Sequence, residues 1–162
     1  MTMLNLRPAV VSDVPTILRF IRELAEFEKL LHEVEATEEK LRLTLFGADA
    51  RAEVIIAEQD GVAEGFALYF TSYSTFLAKN GIYLEDLYVS PGSRGQGIGT
   101  ALLRRLAQIA LDRGAGRLEW SVLDWNEKAI ALYRKMGATP QSEWTVQRVT
   151  GKALETLAQR NA

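Results

Sequence analysis

Hydrophobic residues follow a helical period in two stretches of this sequence. The clearest begins after Ser12, which predicts a capped helix reaching about Phe27, with Pro15 in its first turn and an apolar stripe at Val14, Ile17, Leu18, Ile21, Leu24 and Ala25. A second stripe from Ile98 to Ala110 predicts a helix that ends at Gly114. Capping and breaking residues predict three more helices, over 37–47, 126–136 and 152–159.

Alternating and β-rich stretches predict six strands between these helices: Leu4–Arg7, Glu53–Glu58, Ala63–Ser72, Ile82–Val89, Leu118–Leu123 and Trp144–Val149. Asp60-Gly61 and Asn80-Gly81 have the composition of tight turns and predict that three of the strands form a meander. The resulting order is β-α-α-β-β-β-α-β-α-β-α. It predicts an α/β (α+β) fold, a mixed and mainly antiparallel sheet flanked by helices, within one domain over 1–162.

Composition narrows the classes of function. Apolar residues make up 48% of the 162 residues, and the formal net charge is −2, so no nucleic-acid or anionic-membrane partner is expected. The chain has no cysteine and a single histidine, His32, so any metal site would depend on carboxylates, and we expect no metal. No apolar run approaches membrane-spanning length, which favours a cytoplasmic protein.

A glycine-rich turn separates the fourth predicted strand from the next helix. It reads Arg94-Gly95-Gln96-Gly97-Ile98-Gly99-Thr100. Alternating glycines let a backbone approach a ligand, and the helix start offers unpaired N–H groups to a pyrophosphate. The turn has no lysine for a P-loop, and its GxGxG spacing after a meander differs from a dinucleotide-binding GxGxxG. A tightly packed turn without a ligand is the alternative.

The turn matches the (Q/R)xxGx(G/A) signature of the GNAT acetyltransferases. Three other stretches, IRELAEFEKL (21–30), IYLEDLYV (82–89) and VLDWNE (122–127), resemble the diamine acetyltransferase group of that superfamily. EFEKL, RGQGIG and VLDWN are most similar to its thialysine acetyltransferase branch. The resemblance extends from Arg7 to about Leu157 and implies a GNAT-like fold, acetyl-CoA as co-substrate, a small-molecule amine as acceptor, and a homodimer.

The resemblance also implies roles for individual residues. The acetyl-CoA site would comprise Leu87, Tyr88, Val89, Arg94, Gly95, Gln96, Gly97, Ile98, Gly99, Thr100, Asn126, Glu127, Lys128 and Ala129. Phe27, Glu28 and Glu85 match substrate-contacting positions, Glu85 also matches the acidic base, and Tyr133 matches the tyrosine that faces the cofactor sulfur. The chain departs from the polyamine enzymes at Phe27, where they tend to have tyrosine. It departs again in a shortened segment before Trp144, where Glu143 is a candidate substrate contact.

The residue pattern fits these roles chemically. A primary amine has a pKa near ~10.4, so a carboxylate that accepts its proton assists attack at neutral pH. Glu85 and Asp86 are adjacent on one predicted strand and would face opposite ways, so only one would enter the cleft. The resemblance selects Glu85 and leaves Asp86 as a hydrogen-bonded structural acid. Tyr133 lies two helical turns after Asn126, so both would share one helix face.

Two alternatives to small-molecule N-acetylation stay open from the sequence. A related enzyme would acetylate a protein lysine or N-terminus, which requires an open peptide groove. A non-catalytic acetyl-CoA-binding module would need only the glycine turn, whereas Glu85 and Tyr133 favour an enzyme.

Overall fold

The computed structural model describes residues 1–159 and contains five strands and five α-helices in this range. The strands are β1 Leu4–Pro8, β2 Ala52–Gln59, β3 Val62–Ser74, β4 Lys79–Val89 and β5 Leu118–Trp120. The helices are α1 Val14–Phe27, α2 Glu38–Phe46, α3 Ile98–Asp112, α4 Glu127–Lys135 and α5 Gly151–Gln159.

The five strands form one sheet in sequence order, β1-β2-β3-β4-β5. The first four pair antiparallel, and β5 pairs parallel to β4 from Ile82↔Leu118 to Leu84↔Trp120. Helix α3 lies in the crossover connection that two parallel strands need. The predicted mixed, mainly antiparallel sheet flanked by helices is therefore confirmed.

A hydrophobic core joins α1 and α2 to the sheet. Val14, Ile17 and Phe20 of α1 pack in one cluster with Ile56 of β2 and Phe66 of β3. The Phe20 and Phe66 rings stack with their centroids 5.5 Å apart. Ile55 and Ala57 alternate with Ile56 along β2 and therefore point to the opposite side of the sheet, where they are also buried. The buried residues of α3 are Ile98, Leu102, Leu103, Leu106 and Ala110. Burial on both sides explains the continuous apolar run of β2.

One of the two predicted turns is confirmed and the other is wrong. Asp60 and Gly61 connect β2 to β3 with φ values of 52° and 82°, the left-handed conformation that a two-residue hairpin needs. Asn80 and Gly81 instead lie within β4, opposite Tyr73 and Ser72. The chain reverses just before them, over 75–78, so the two strands continue further than their composition suggested.

The predicted strand Trp144–Val149 is also wrong, because no strand pairing occurs there among the described residues. Its Trp144 and Val146 side chains are 79% and 80% exposed. Alternating composition makes a strand only where a neighbour supplies backbone hydrogen bonds. Two smaller differences concern ends: β5 stops at Trp120 rather than Leu123, and Asp13 rather than Ser12 precedes α1 as its N-cap.

The described chain forms two compact units, one over 1–123 and one that begins at Asp124. The second unit contains α4 and α5. Asn126 caps α4 as predicted, its side-chain oxygen accepting a hydrogen bond from the Ala129 N–H at 3.3 Å. Over the described residues, every helix is too short or too polar to cross a bilayer. That the whole chain is a single domain stays a prediction.

Candidate active site

The glycine turn leads from β4 into α3 with an open backbone. Gly95 and Gly97 have φ values of 78° and 85°, which residues with a Cβ rarely adopt. A Cβ built on either glycine would meet no atom within 4 Å. Gly97 is the N-cap of α3, and the first N–H groups of that helix have no intrahelical partners. Open space, free donors and the positive end of the helix dipole fit the pyrophosphate of acetyl-CoA.

Two side-chain hydrogen bonds connect the glycine turn to the ends of β2 and β4. Gln59, at the end of β2, donates from Nε2 to Oε1 of Gln96 at 2.7 Å. Arg94 donates from Nε to the Val89 carbonyl at 2.9 Å. The Arg94 guanidinium lies over the rings of Phe27 and Tyr88, 5.2 and 5.6 Å from their centroids. The turn is thus connected to the end of α1, which carries two of the predicted substrate residues.

A β-bulge in β4 determines which side of the sheet Glu85 and Asp86 face. Leu68 pairs with Asp86 and Tyr69 pairs with Leu84, so Glu85 is the extra residue. Beyond the bulge, Asp86 and Tyr88 are opposite Leu68 and Phe66, which belong to the core beneath α1. Asp86 therefore faces the α1 side, and Glu85 is exposed. The simple alternation assumed from the sequence does not hold at this point.

Asp86, Glu85 and Glu28 interact electrostatically. Burial of Asp86, followed by the negative charges of Glu85 and Glu28, raises its pKa to about 6. Burial also raises the pKa of Glu28, the residue that ends α1. The raised pKa of Asp86 comes from burial and from the two neighbouring charges, with no contribution from a hydrogen bond. The predicted role of Asp86 as a hydrogen-bonded structural acid is therefore not supported. An acid with a pKa near neutrality is suited to exchange protons or to attract a cationic amine.

The second unit carries the remaining predicted site residues on one helix. Asn126, Glu127, Lys128 and Ala129 form the cap and first turn of α4, and the half-buried Tyr133 follows two turns after Asn126. Glu143 is exposed and lies outside any helix or strand. The role proposed for each of these residues stays a prediction.

Sequence reasoning missed two features of the first unit. It gave Asp86 only a structural role, because a bulge that would turn Asp86 toward α1 has no local signature in the sequence. It also gave no role to Glu23, which accepts a hydrogen bond from Tyr88 across 65 residues of chain. Long-range pairing of this kind is visible only in three dimensions.

Comparison with known proteins identifies the same family that the glycine turn and its position indicate. The family model described as acetyltransferase (GNAT) family matches residues 18–138, three quarters of the chain. The chain belongs to the GNAT acetyltransferase family. The GNAT fold and its named acetyltransferase members make this protein an acetyl-transferring enzyme, and the resemblance drawn from the sequence is confirmed.

Several members of the GNAT family are similar along nearly the full length of the chain. Thialysine N-epsilon-acetyltransferase of Mus musculus is 42% identical, covering 96% of this chain and 98% of its own. L-ornithine N5-acetyltransferase of Arabidopsis thaliana is 33% identical, covering 97% and 89%. Among solved structures, a Vibrio cholerae integron cassette protein is 26% identical, with a TM-score of 0.81 and coverage of 97% and 98%.

Proposed function

We propose that this GNAT enzyme transfers the acetyl group of acetyl-CoA to the terminal amine of a lysine-like amino acid such as thialysine. The observation that carries the proposal is the cluster that Glu28, at the end of α1, forms with Glu85 and Asp86 of β4, the strand that leads into the glycine turn. The two relatives named above act on thialysine and ornithine, which are amino acids with a terminal amine. Acetyl-CoA supplies the activated acetyl thioester.

Residues of β4 and the glycine turn would hold the co-substrate. The N–H groups of Gly95–Thr100 bind the pyrophosphate, and Leu87, Tyr88 and Val89 run beside the pantetheine arm. A backbone N–H near Val89 donates to the acetyl carbonyl oxygen as negative charge develops there. The family resemblance implies a cofactor contact for Asn126, Glu127, Lys128 and Ala129 as well.

Glu85 accepts the ammonium proton in this proposal, directly or through water. Because it is exposed at the bulge, it can meet an incoming cation without first being desolvated. Asp86 and Glu28 supply further negative charge beside it, which favours binding of the ammonium. Phe27 provides an apolar wall for the alkyl stem of the amine.

Tyr133 is the proposed proton donor to the departing CoA thiolate. We expect Tyr133→Phe to lower kcat by about 10- to 100-fold, because a donor near the leaving group contributes on the order of 10²-fold. Affinity for acetyl-CoA should stay within a few-fold, since the ring is retained. Stopped-flow or steady-state thiol release together with calorimetric titration of acetyl-CoA measures both quantities. A weakened cofactor affinity with unchanged kcat would contradict the role.

The preferred amine follows from the number of acids in the site. Thialysine should show higher kcat/KM than spermidine, because a polyamine carries further charges that need acids along its length. Glu28→Gln should raise KM for the amine more than it lowers kcat, as when binding common to ground and transition states is lost. Steady-state rates at low ionic strength, where charge attraction is least screened, give the comparison. Faster turnover of spermidine than of every amino-acid amine would refute this choice of substrate.

A thiol-release assay over free amines, peptides and N-termini tests the function itself. Turnover of free amines supports the proposal. Turnover of peptides alone would indicate a protein acetyltransferase, and cofactor binding without any turnover would indicate a non-catalytic module.

We also propose a cytoplasmic homodimer, which the family resemblance implies. The second unit exposes apolar side chains at Trp144, Val146, Leu154 and Leu157, and a partner chain would remove such surface from water. Sedimentation at micromolar concentration tests the assembly, and a monomer there would argue against it.

A further inference from the structure

A cavity of about 550 Å³ lies between α1 and the start of the glycine turn. Its lining includes Arg19, Glu23, Phe27, Glu64, Tyr88 and Arg94. Tyr88 is 5% exposed, and its ring packs against Phe20 with the centroids 5.6 Å apart. The cavity therefore has a rigid aromatic side formed by β4 and a helical side formed by α1.

One hydrogen bond crosses between these sides. The Tyr88 hydroxyl donates to Oε2 of Glu23 at 2.7 Å, and the other Glu23 oxygen accepts from Nη1 of Arg19 at 3.2 Å. Burial and Glu23 together raise the pKa of Tyr88 to about 12, so the phenol stays protonated and donates throughout the physiological range. A hydrogen bond to a charged acceptor is stronger than one between neutral groups.

The apolar core does not hold the end of α1 as it holds its beginning. The buried residues of this helix are Val14, Ile17, Leu18 and Phe20, all in its first half. From Ile21 onward each residue of the helix is half-buried or exposed, and Phe27 is 43% exposed. Glu23 lies one turn before Phe27, so its bond to Tyr88 acts where packing is weakest.

A second contact reaches the same end of the helix. The Arg94 guanidinium lies over both the Phe27 and the Tyr88 ring, and its Nε donates to the Val89 carbonyl. Tyr88 therefore takes part in two links to α1: its hydroxyl is bonded to Glu23, and its ring contacts Arg94, which in turn contacts Phe27.

We propose that Tyr88 is a positioning residue for acetyl transfer: its hydroxyl, through Glu23, fixes the last turn of α1 so that Glu28 stays near Asp86 and Phe27 stays against Arg94. This inference rests on the proposed amine site. It assigns the Tyr88 side chain a function separate from the backbone contact expected with the pantetheine arm.

Tyr88→Phe tests the hydroxyl alone, because the ring that contacts Phe20 and Arg94 is kept. We expect KM for thialysine to rise about tenfold, which corresponds to about 1.4 kcal/mol. Both kcat and the Kd of acetyl-CoA should stay within about twofold. Glu23→Gln keeps an acceptor without its charge and should raise KM less than Glu23→Ala, which should reproduce Tyr88→Phe.

Tyr69→Phe is the matched control. Tyr69 is also a buried tyrosine of the sheet beside a glutamate and an arginine, Glu53 and Arg113, but it lies outside the proposed site. We expect it to lower the urea midpoint of unfolding as much as Tyr88→Phe does, with the amine KM unchanged. Equal KM changes in the two variants would overturn the proposal, because they would reflect general loss of stability.

Amide hydrogen exchange gives a readout that does not depend on activity. The N–H groups of Glu28 and Leu30 donate to the Leu24 and Ala25 carbonyls, closing the end of α1. They should exchange faster in Tyr88→Phe than in wild type, and not in Tyr69→Phe. If wild-type protein acetylates no amine, the proposed function fails, and unchanged exchange at these two amides would separately overturn the positioning role.

Discussion

Gly97→Val should abolish the thermal protection that acetyl-CoA gives to this protein. At a ligand concentration of about 100 Kd, binding stabilises the folded state by about 2.7 kcal/mol, an increase in Tm of roughly 5–10 °C for a chain of this size. The space in front of Gly97 is open, and a valine side chain would fill it where the pyrophosphate is expected. Scanning calorimetry with and without acetyl-CoA measures the effect.

Backbone strain must be separated from loss of the binding site. Gly97 has a φ of 85°, so any residue with a Cβ costs about 1–2 kcal/mol there even without ligand. Gly114, after the end of α3, has a φ of 68° and equally open surroundings. Gly114→Val should therefore lower the Tm of the free protein similarly and keep the full shift with acetyl-CoA.

A third variant avoids the strain. Gly99 does not have a positive φ, and its Cβ would make an ordinary contact with Val89 at 3.9 Å. The family signature accepts alanine at this position, so Gly99→Ala should leave both the free protein and the shift with acetyl-CoA close to wild type. A full cofactor shift in Gly97→Val would remove the glycine turn from the binding site.

Glu85→Gln should lower kcat/KM by ~10²–10⁴-fold at neutral pH, the usual contribution of a general base. The loss should shrink as the pH approaches the pKa of the amine, because solvent then deprotonates the substrate. Rates of thiol release over a range of pH at fixed ionic strength measure this. A loss of the same size at every pH would indicate a binding role instead.

Asp86→Asn separates the two acids of the bulge. It should raise the amine KM with a smaller loss of kcat than Glu85→Gln, because Asp86 contributes charge and Glu85 accepts the proton. If Asp86→Asn shows the large loss that shrinks at high pH and Glu85→Gln does not, the two roles are exchanged. Removing the neighbouring charge in Glu85→Gln also lowers the pKa of Asp86, so the acidic limb of the rate profile should move below pH 6.

Asp86 is also expected to destabilise the folded protein at neutral pH. Its folded-state pKa of about 6 exceeds the ordinary 3.8, so the folded state binds more protons between these values, and stability falls as pH rises through that window. The full effect is up to about 3 kcal/mol. Asp86→Asn should therefore raise the Tm at pH 7 while it impairs catalysis, and an unchanged or lower Tm would contradict the burial of this charge.

The order of elements as far as α4 and the glycine turn could be read from the sequence because both depend on local chemistry. Helix periods, the Asn126 cap and Asp60-Gly61 are decided by residues a few positions apart, and each is confirmed. The turn between β4 and α3 follows from glycines whose positive φ values other residues rarely adopt. Four motifs in the right order were sufficient to recognise the GNAT family, which the comparisons confirm.

Tertiary structure decided what depends on pairing and burial. Asn80-Gly81 became part of β4 because strand partners outweighed turn composition, whereas 144–149 has the composition of a strand but no partner among the described residues. The bulge at Glu85 turned Asp86 toward α1, and burial beside Glu85 and Glu28 then raised its pKa. These outcomes depend on residues far apart in the chain, so local sequence patterns cannot determine them.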